Sequence, residues 1–312
     1  MRELRLSAHQ SVHTDFNMVA CIGYFDGFHQ GHQTLFNRTL YSAKTKGLTS
    51  AIISFEPDPW SILKPDAKIQ HLSTLDDRKQ LASDMGFDVW IVIEFDEAMA
   101  KMTHVAFIER LKALGITHLV CGFDFKFGAK GQGDVTYLLS LKNEQFEVDV
   151  CEEFKIHDEK VSTTRIKKLL SEGNVELANH LLGRQYQLKG VVVRGRQIGR
   201  KMGYPTANLG LDPEYFTPRL GVYVGYVSIE GLRFQAMISV GLNPTVKDDT
   251  RISVEAHILD FDRDIYDATV SFIFVHYLRP EEKYDGLDSL MHQIRLDEAA
   301  TRRYFSHQSD EM

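Results

Sequence analysis

Through Phe154 the chain alternates short apolar runs with stretches of helical period. Met18–Gly23, Ala51–Phe55, Val89–Phe95, His118–Phe123 and Glu147–Phe154 are apolar runs of strand length. Between them, Gln33–Lys46 and His104–Leu114 carry apolar residues near i, i+3 and i+4 and predict amphipathic helices. Gly47 and Gly115 stand where helix C-caps would fall. Strand–helix alternation of this kind implies a parallel sheet covered on both faces, a Rossmann-like α/β domain. Ligands of such sheets bind outside the C-terminal strand ends, so motifs are sought there.

From Gln185 the pattern changes. Gln187–Arg194, Val222–Ile229, Arg233–Val240, Ile252–Asp260 and Ala268–Tyr277 read as strands, separated by turn chemistry such as Glu230-Gly231 and Asn243-Pro244. Five or six strands without intervening helices predict an antiparallel sheet or small β-barrel. The tail Leu287–Phe305 is helical again, with Leu287, Leu290, Ile294 and Ala299 able to share a face. Two helices, Thr163–Leu170 and Val175–Leu182, bridge the halves, which sets the expected boundary at Gly183: residues 1–183 and 184–312.

A length of 312 residues accommodates these two domains. The formal charge of −7 argues against a protein that grips nucleic-acid backbone, although it leaves nucleotide substrates open, since a phosphate site needs only a few local donors. No apolar run reaches the roughly 18 residues needed to cross a bilayer, and the first ten residues carry no apolar signal stretch. The expectation is a protein of the cytoplasm with no membrane partner. Cys21, Cys121 and Cys151 are widely spaced in apolar segments and read as buried thiols, not as a disulfide or metal framework.

In the first half the strongest local signal is Gly23-Tyr-Phe-Asp-Gly-Phe-His-Gln-Gly-His32. A strand ends at Gly23, a glycine-containing turn follows, and a helix begins near Gly31, so His29 and His32 share one face at a helix N-terminus. Outward backbone N–H groups, the positive end of the helix dipole and imidazole donors suit phosphate. Two histidines could also merely cap the helix, or bind metal, for which no third ligand is evident nearby.

This segment resembles the G-x-F-D-G-x-H-x-G-H signature of the nucleotidyltransferase superfamily, specifically the FAD synthetase half of bacterial bifunctional riboflavin kinase/FAD synthetases. Other segments match in order. Ser54-Phe-Glu-Pro-Asp-Pro59 resembles that family's F-x-P-x-P loop, Gly122-Phe-Asp-Phe-Lys-Phe-Gly128 its G-x-D-F-x-F-G segment, and Val161-Ser-Thr-Thr-Arg-Ile166 its S-S-T-x-I-type run. The resemblance implies that His29, His32 and Arg165 serve catalysis. Gly23, Phe25, Asp26, Gly31, Ser162 and Thr163 would contact ATP, and Asp124, Phe125 and Phe127 would lie near flavin. Read without it, the aromatics fit core packing, Arg165 a surface ion pair, and Asp26 an ordering role in the turn. Two positions depart from the commoner pattern: Tyr24 stands where Asn is usual, and Asp58 where His often occurs.

In the second half, Gly190-Val-Val-Val-Arg-Gly195 leads into Gly199-Arg-Lys-Met-Gly-Tyr-Pro-Thr-Ala-Asn208. The glycines permit close backbone approach to a ligand, but no Gly-Lys-Ser/Thr ending makes this a Walker A loop. Bare, it is a flexible hairpin; Pro205 adds a rigid point from which Thr206 and Asn208 offer oxygens acceptable to Mg²⁺. The run resembles the riboflavin kinase signature G-x-x-x-G-R-x-x-G-x-P-T-A-N. Gly221-Val-Tyr223, Val240-Gly-Leu-Asn-Pro-Thr245, Val254-Glu-Ala-His-Ile-Leu-Asp-Phe261 and Gln293-Ile-Arg-Leu-Asp297 continue the match.

By that resemblance Thr206 and Asn208 are ligands of Mg²⁺ carried with ATP, and Glu255 is the general base for the riboflavin 5′-hydroxyl. Gly195, Gly199, Arg200, Gly203 and Pro205 would contact ATP, with Lys201 beside Arg200, while Arg295 and Asp297 would contact flavin. Period two sets Val254, Ala256 and Ile258 on one face and Glu255, His257 and Leu259 on the other, so Glu255 could equally be a solvated strand residue and His257 is structural. The implied activity is sequential: ATP phosphorylates riboflavin to FMN, and FMN is then adenylylated to FAD with release of pyrophosphate. The alternatives are a kinase with a weak or inactive adenylyltransferase half, or a non-catalytic flavin-binding regulator.

Overall fold

The computed structural model describes residues 1–10, 12–66, 68–195, 199, 203–244 and 250–310. Arg200 and Lys201, expected at the second site, and Thr245, which ends one of the matching runs, lie outside the described residues. By contacts the chain divides into two compact units, Met1–Thr163 and Thr164–Met312.

The first unit is built on a parallel sheet. Its strands are β1 (Arg2–Leu6), β2 (Met18–Ile22), β3 (Thr49–Glu56), β4 (Val89–Glu94), β5 (Ile116–Gly122) and β6 (Glu147–Cys151), in the order β1-β4-β3-β2-β5-β6. Alternation along the strands feeds two cores. Met18, Ala20 and Ile22 enter one, with Phe107 and Leu111 of α5 (His104–Ala113), while Val19 and Cys21 enter the other, with Phe36 of α1 (Gln30–Lys46) and Trp90. Both faces of the sheet are therefore buried, which is why its strands read as continuous apolar runs.

The chain leaves β2 toward β3 on one side, while β5 lies on the other. That reversal of direction opens a crevice at the C-terminal end of β2, where the Gly23–His29 turn begins. Helix α1 is capped by His29 at its start and by left-handed Gly47 at its end. Strand β1 escaped the sequence reading because its alternating charges resemble a polar leader. It is an edge strand, paired in parallel with β4 alone.

In the second unit, α7 (Thr163–Glu172) and α8 (Val175–Leu182) precede an antiparallel barrel and a C-terminal helix, Leu287–Asp310. The barrel strands are β9 (Tyr186–Val193), β10 (Ala207–Leu211), β11 (Gly221–Ile229), β12 (Leu232–Pro244), β13 (Thr250–Ile258) and β14 (Thr269–Arg279). They close in the order β10-β13-β12-β11-β14-β9. Closure leaves no free sheet edge. The strand that completes it, β10, is short and sits inside the Pro205–Asn208 motif, where its apolar alternation is too brief to stand out. Helix α8 packs on this barrel: Asn179 donates to Phe274 O at 2.9 Å and accepts from Tyr186 N at 2.6 Å.

All three cysteines are free thiols, and burial pushes Cys21 and Cys121 up to about 12. Both tryptophans, Trp60 and Trp90, lie in the first unit, so tryptophan fluorescence follows its unfolding separately. Phe36 is fully buried, and Phe36→Ala is expected to lower the stability of that unit by about 3–5 kcal/mol in a urea titration read by fluorescence.

Candidate functional sites in the two units

The turn after β2 has an unusual backbone. Phe25 (φ 57), Gly27 (φ 78) and Phe28 (φ 48) all take left-handed conformations. Glycine adopts this freely, whereas each non-glycine costs on the order of 1–3 kcal/mol and persists only where the surroundings hold it. Both phenylalanine rings are buried in the core on the α1 face of the sheet. The turn delivers His29 to the start of α1, where its Nδ1 accepts from His32 N at 3.3 Å. An accepting Nδ1 carries no proton, so the neutral ring carries it on Nε2, as a donor. His29 is 4% exposed and its ring stacks on that of His32, with centroids 3.6 Å apart and planes at 19°. Phe25 supports His32 edge-on at 5.2 Å. Gly31 has to be small: a Cβ there would come within 3.1 Å of His29 Cε1 and 3.2 Å of Val161 O. At Gly23 a Cβ would strike the Phe25 ring at 2.7 Å.

Around this turn, Asp26 is buried and its Oδ1 accepts from Ser73 N at 3.1 Å and Ser73 Oγ at 3.4 Å. Thr163 donates its hydroxyl to Asp26 O at 3.1 Å, which brings the 161–163 segment, with half-buried Ser162, against the turn. Arg165 lies on the first turn of α7, two residues past the division between the units. Phe127 is packed in the other core of the sheet, against Phe107 and Tyr137, and Phe125 stacks on it partly exposed. Asp124 is exposed and paired with Lys160 at 2.5 Å.

The second unit holds two neighbouring cavities. One, of about 400 Å³, is lined by Val192, Gly195, Pro205, Asn208 and the 261–266 segment, among others. The other, of about 610 Å³, lies between the barrel wall and the C-terminal helix, with Met237, Ser239, Glu255, Leu290 and Asp297 in its lining. Thr206 lines both. Its hydroxyl donates to Glu255 Oε2 at 3.0 Å. Strand register sets Asn208 directly opposite Glu255, and Glu255 opposite Ser239. As the alternation predicts, Val254, Ala256 and Ile258 are buried while Glu255 and His257 are not; Leu259 departs from it and is buried beside left-handed Asp260, where the strand has ended.

The Pro205–Asn208 segment is held from outside by His257, whose Nδ1 lies 2.9 Å from Pro205 O, and by Tyr204, which donates to Glu298 Oε2 at 3.1 Å. Gly195 faces Asn208 so closely that a Cβ would lie 2.5 Å from its amide. Gly199 O accepts from Tyr204 N at 2.9 Å, and Gly203 is left-handed at φ 82.

A family model for FAD synthetase matches residues 11–165, and one for riboflavin kinase matches residues 182–305. The bifunctional riboflavin kinase/FMN adenylyltransferase of Listeria monocytogenes is 36% identical over 299 residues, covering 95% of each chain. The chain belongs to the bifunctional riboflavin kinase/FMN adenylyltransferase family. Its relatives of that name in Bacillus subtilis and Escherichia coli K12 are 34% and 31% identical, over 93% and 92% of each chain. A solved structure described as a macrolide-efflux protein from Streptococcus pneumoniae has a TM-score of 0.89 at 32% identity, covering 97% of this chain and 99% of that one. Among the described residues here, no helix is long and apolar enough to cross a membrane.

Within this family member, the structure brings His29, His32, Gly31, Gly23, Phe25 and Asp26 into one turn, and Thr206, Asn208, Glu255, Gly195 and Pro205 to the junction of two cavities. Asp297 lines the larger cavity, but its carboxylate is engaged by Arg279 Nε and Nη2 (2.9 and 2.7 Å) and by Gln293 (2.9 Å). Arg295 is exposed on the same helix. Sequence reasoning missed Arg279 and Ser239, and in the first unit His71, Ser73 and Arg78. None belongs to a quoted motif, and their sequence neighbours give no hint of what they face. The Arg279–Asp297 side chains are 17% and 8% exposed, so Asp297→Ala would strand a guanidinium. That variant is expected to lose about 3–5 kcal/mol of second-unit stability, seen as a lowered barrel transition in a calorimetric scan.

Proposed function

We propose that the second unit transfers the γ-phosphoryl group of ATP to riboflavin and that the first adenylylates the resulting FMN. We draw the boundary between the two activities at Gly183, giving residues 1–183 and 184–312, in a protein of the cytoplasm. The observation that carries the kinase reading is that two cavities share Thr206, with Glu255 on the wall of one and Asn208 on the wall of the other. Two substrates held in separate cavities can react only where those cavities meet.

In this reading ATP occupies the smaller cavity, against Gly195 and Pro205, and riboflavin the larger, near Arg295 and Asp297; Gly199, which lines the larger cavity, and Gly203 and Arg200 of the same motif are assigned to ATP by the family resemblance alone. Glu255 accepts the proton of the 5′-hydroxyl as its oxygen bonds to the γ-phosphorus and ADP leaves. Thr206 and Asn208 suit Mg²⁺: the Thr206 proton is directed to Glu255, which leaves the hydroxyl lone pairs for a hard cation, and Asn208 adds a carbonyl-type oxygen across the strand pair. Mg²⁺ would neutralise phosphate charge. The residues of this chain position the hydroxyl and take up its proton.

Adenylyl transfer needs no protein nucleophile, because a phosphate oxygen of FMN attacks the α-phosphorus of ATP and pyrophosphate leaves. His29 and His32, at the positive end of the α1 dipole, meet the developing charge. Ser162 adds a donor, Thr163 ties its segment to the turn, and flavin lies near Asp124, Phe125 and Phe127; Arg165 is assigned to catalysis by the family resemblance alone.

The test is to incubate the protein with Mg-ATP and either riboflavin or FMN, then resolve riboflavin, FMN and FAD by chromatography. Glu255→Gln is expected to lower FMN formation by about 10²–10⁴-fold while FAD formation from supplied FMN continues. His29→Ala should give the opposite pattern, with FAD formation reduced by about 10²–10³-fold. FMN without FAD from the unaltered protein would leave a kinase alone; neither product would leave a flavin-binding regulator.

A further inference from the structure

One stretch of chain, 71–78, converges on the turn that presents His29 and His32. Buried His71 lies with its Nε2 3.2 Å from the Tyr24 hydroxyl, and its nitrogens 3.9 and 3.8 Å from the carboxylates of Asp26 and Asp58. Ser73 Oγ accepts from Gly27 N at 2.8 Å, besides its contacts with Asp26. Thr74 caps α3 (Leu75–Asp84), and Arg78 on that helix is 3% exposed. Arg78 donates through Nη1 to Tyr24 O at 2.6 Å and Ser54 Oγ at 3.2 Å, and through Nη2 to the Tyr24 hydroxyl at 3.3 Å. Its guanidinium also sits 4.3 Å from the centre of the Tyr24 ring.

A guanidinium this deep is costly unless its donors are met. If it served only to balance charge, it would form a fork with Asp26 or Asp58. Its guanidinium donates instead to the backbone and side chain of Tyr24 in the turn, to Ser54 on β3 and to Thr74 O of its own helix start. The arrangement therefore ties the turn to the sheet end. It also explains both departures from the commoner motif. Tyr24 supplies the ring and hydroxyl that Arg78 and His71 grip, and Asp58 faces His71.

We infer that Arg78 is a positioning residue for adenylyl transfer, with Ser73 as a second clamp: together they hold Tyr24–Phe28 in the left-handed path that aims His29 and His32. The inference rests on the adenylyltransferase reading above. Full-length Arg78→Met, Arg78→Lys and Ser73→Ala are compared with the unaltered protein in both reactions, with tryptophan fluorescence reporting on folding of the first unit and riboflavin phosphorylation on that of the second. FAD formation from FMN is expected to fall on the order of 100-fold in Arg78→Met, mainly in kcat, with partial recovery in Arg78→Lys and unchanged FMN formation. Hydrogen exchange at the Gly27 and Phe28 amides should quicken in Arg78→Met, while amides of α5 keep their rates.

Full FAD formation by Arg78→Met overturns the inference and leaves the adenylyltransferase reading standing. If the unaltered protein makes no FAD, that reading falls instead, and exchange at Gly27 decides the clamp: an unchanged rate overturns it. Should the first unit of Arg78→Met fail to fold, Arg78→Lys and Ser73→Ala decide the same question, because a loss of FAD formation with native tryptophan fluorescence and intact FMN formation is still required.

Discussion

The antiparallel register across β10, β13 and β12 is the constraint on which the barrel site depends. It sets Asn208, Glu255 and Ser239 in one row across three strands, on the face opposite buried Val254, Ala256 and Ile258. Side chains alternate along a strand, so a slip of one residue would turn Glu255 inward and bring Ala256 to the site. Barrel closure prevents that slip, because β13 is paired on both edges and both ladders would have to break together. The hydrogen bond from Thr206 to Glu255 follows from this order. Closure sets the register, the register sets the row, and His257, two residues along the same strand, holds Pro205 so that Thr206 can reach the row.

The first unit meets a similar need by a different route. Its two left-handed phenylalanines cost on the order of 1–3 kcal/mol each. Burying each ring returns about 1.5–3 kcal/mol. These magnitudes are close, so apolar burial alone leaves the turn near balance, and the polar contacts from Ser73 and Arg78 decide which backbone path is kept. The imidazoles are thus set by a turn with hydrophobic anchors and polar locks, whereas the barrel site is set by strand pairing.

This difference explains what could be read from the sequence. Strands β2 to β6 and the longer barrel strands were legible because burial on one or both faces writes a period into the chain. The two ligand-facing motifs were legible because a turn at a helix start and a Pro-Thr-Ala-Asn run each compress their chemistry into about a dozen residues. Strand β1 was not, since an edge strand with charged alternation looks like a solvated segment. His71 and Arg78 were hidden for another reason: each is an ordinary polar residue in a polar stretch, and only tertiary packing brings it to a turn that lies 47 and 54 residues earlier in the chain. Tyr24 and Asp58 stand out in the sequence only as two separate departures from a motif. Seen around His71, they are parts of one buried polar cluster.

A net charge of −7 is compatible with two sites for a polyanion because each site, as proposed, uses only one arginine beside uncharged donors. At the turn, the helix-start dipole and the imidazole N–H donors are fixed in place by the fold. At the barrel, the cation would arrive with the nucleotide, so the resting site has only to present a hydroxyl, an amide oxygen and one carboxylate already bonded to that hydroxyl. A permanently basic pocket would be self-repelling between turnovers and would hold phosphate products too well. Relying mainly on uncharged donors eases both problems, at the expense of strict geometry: a dipole acts only over a short distance and in the right direction. That demand for direction is why the least expected residues of the first unit, Ser73 and Arg78, bond to the backbone of the turn.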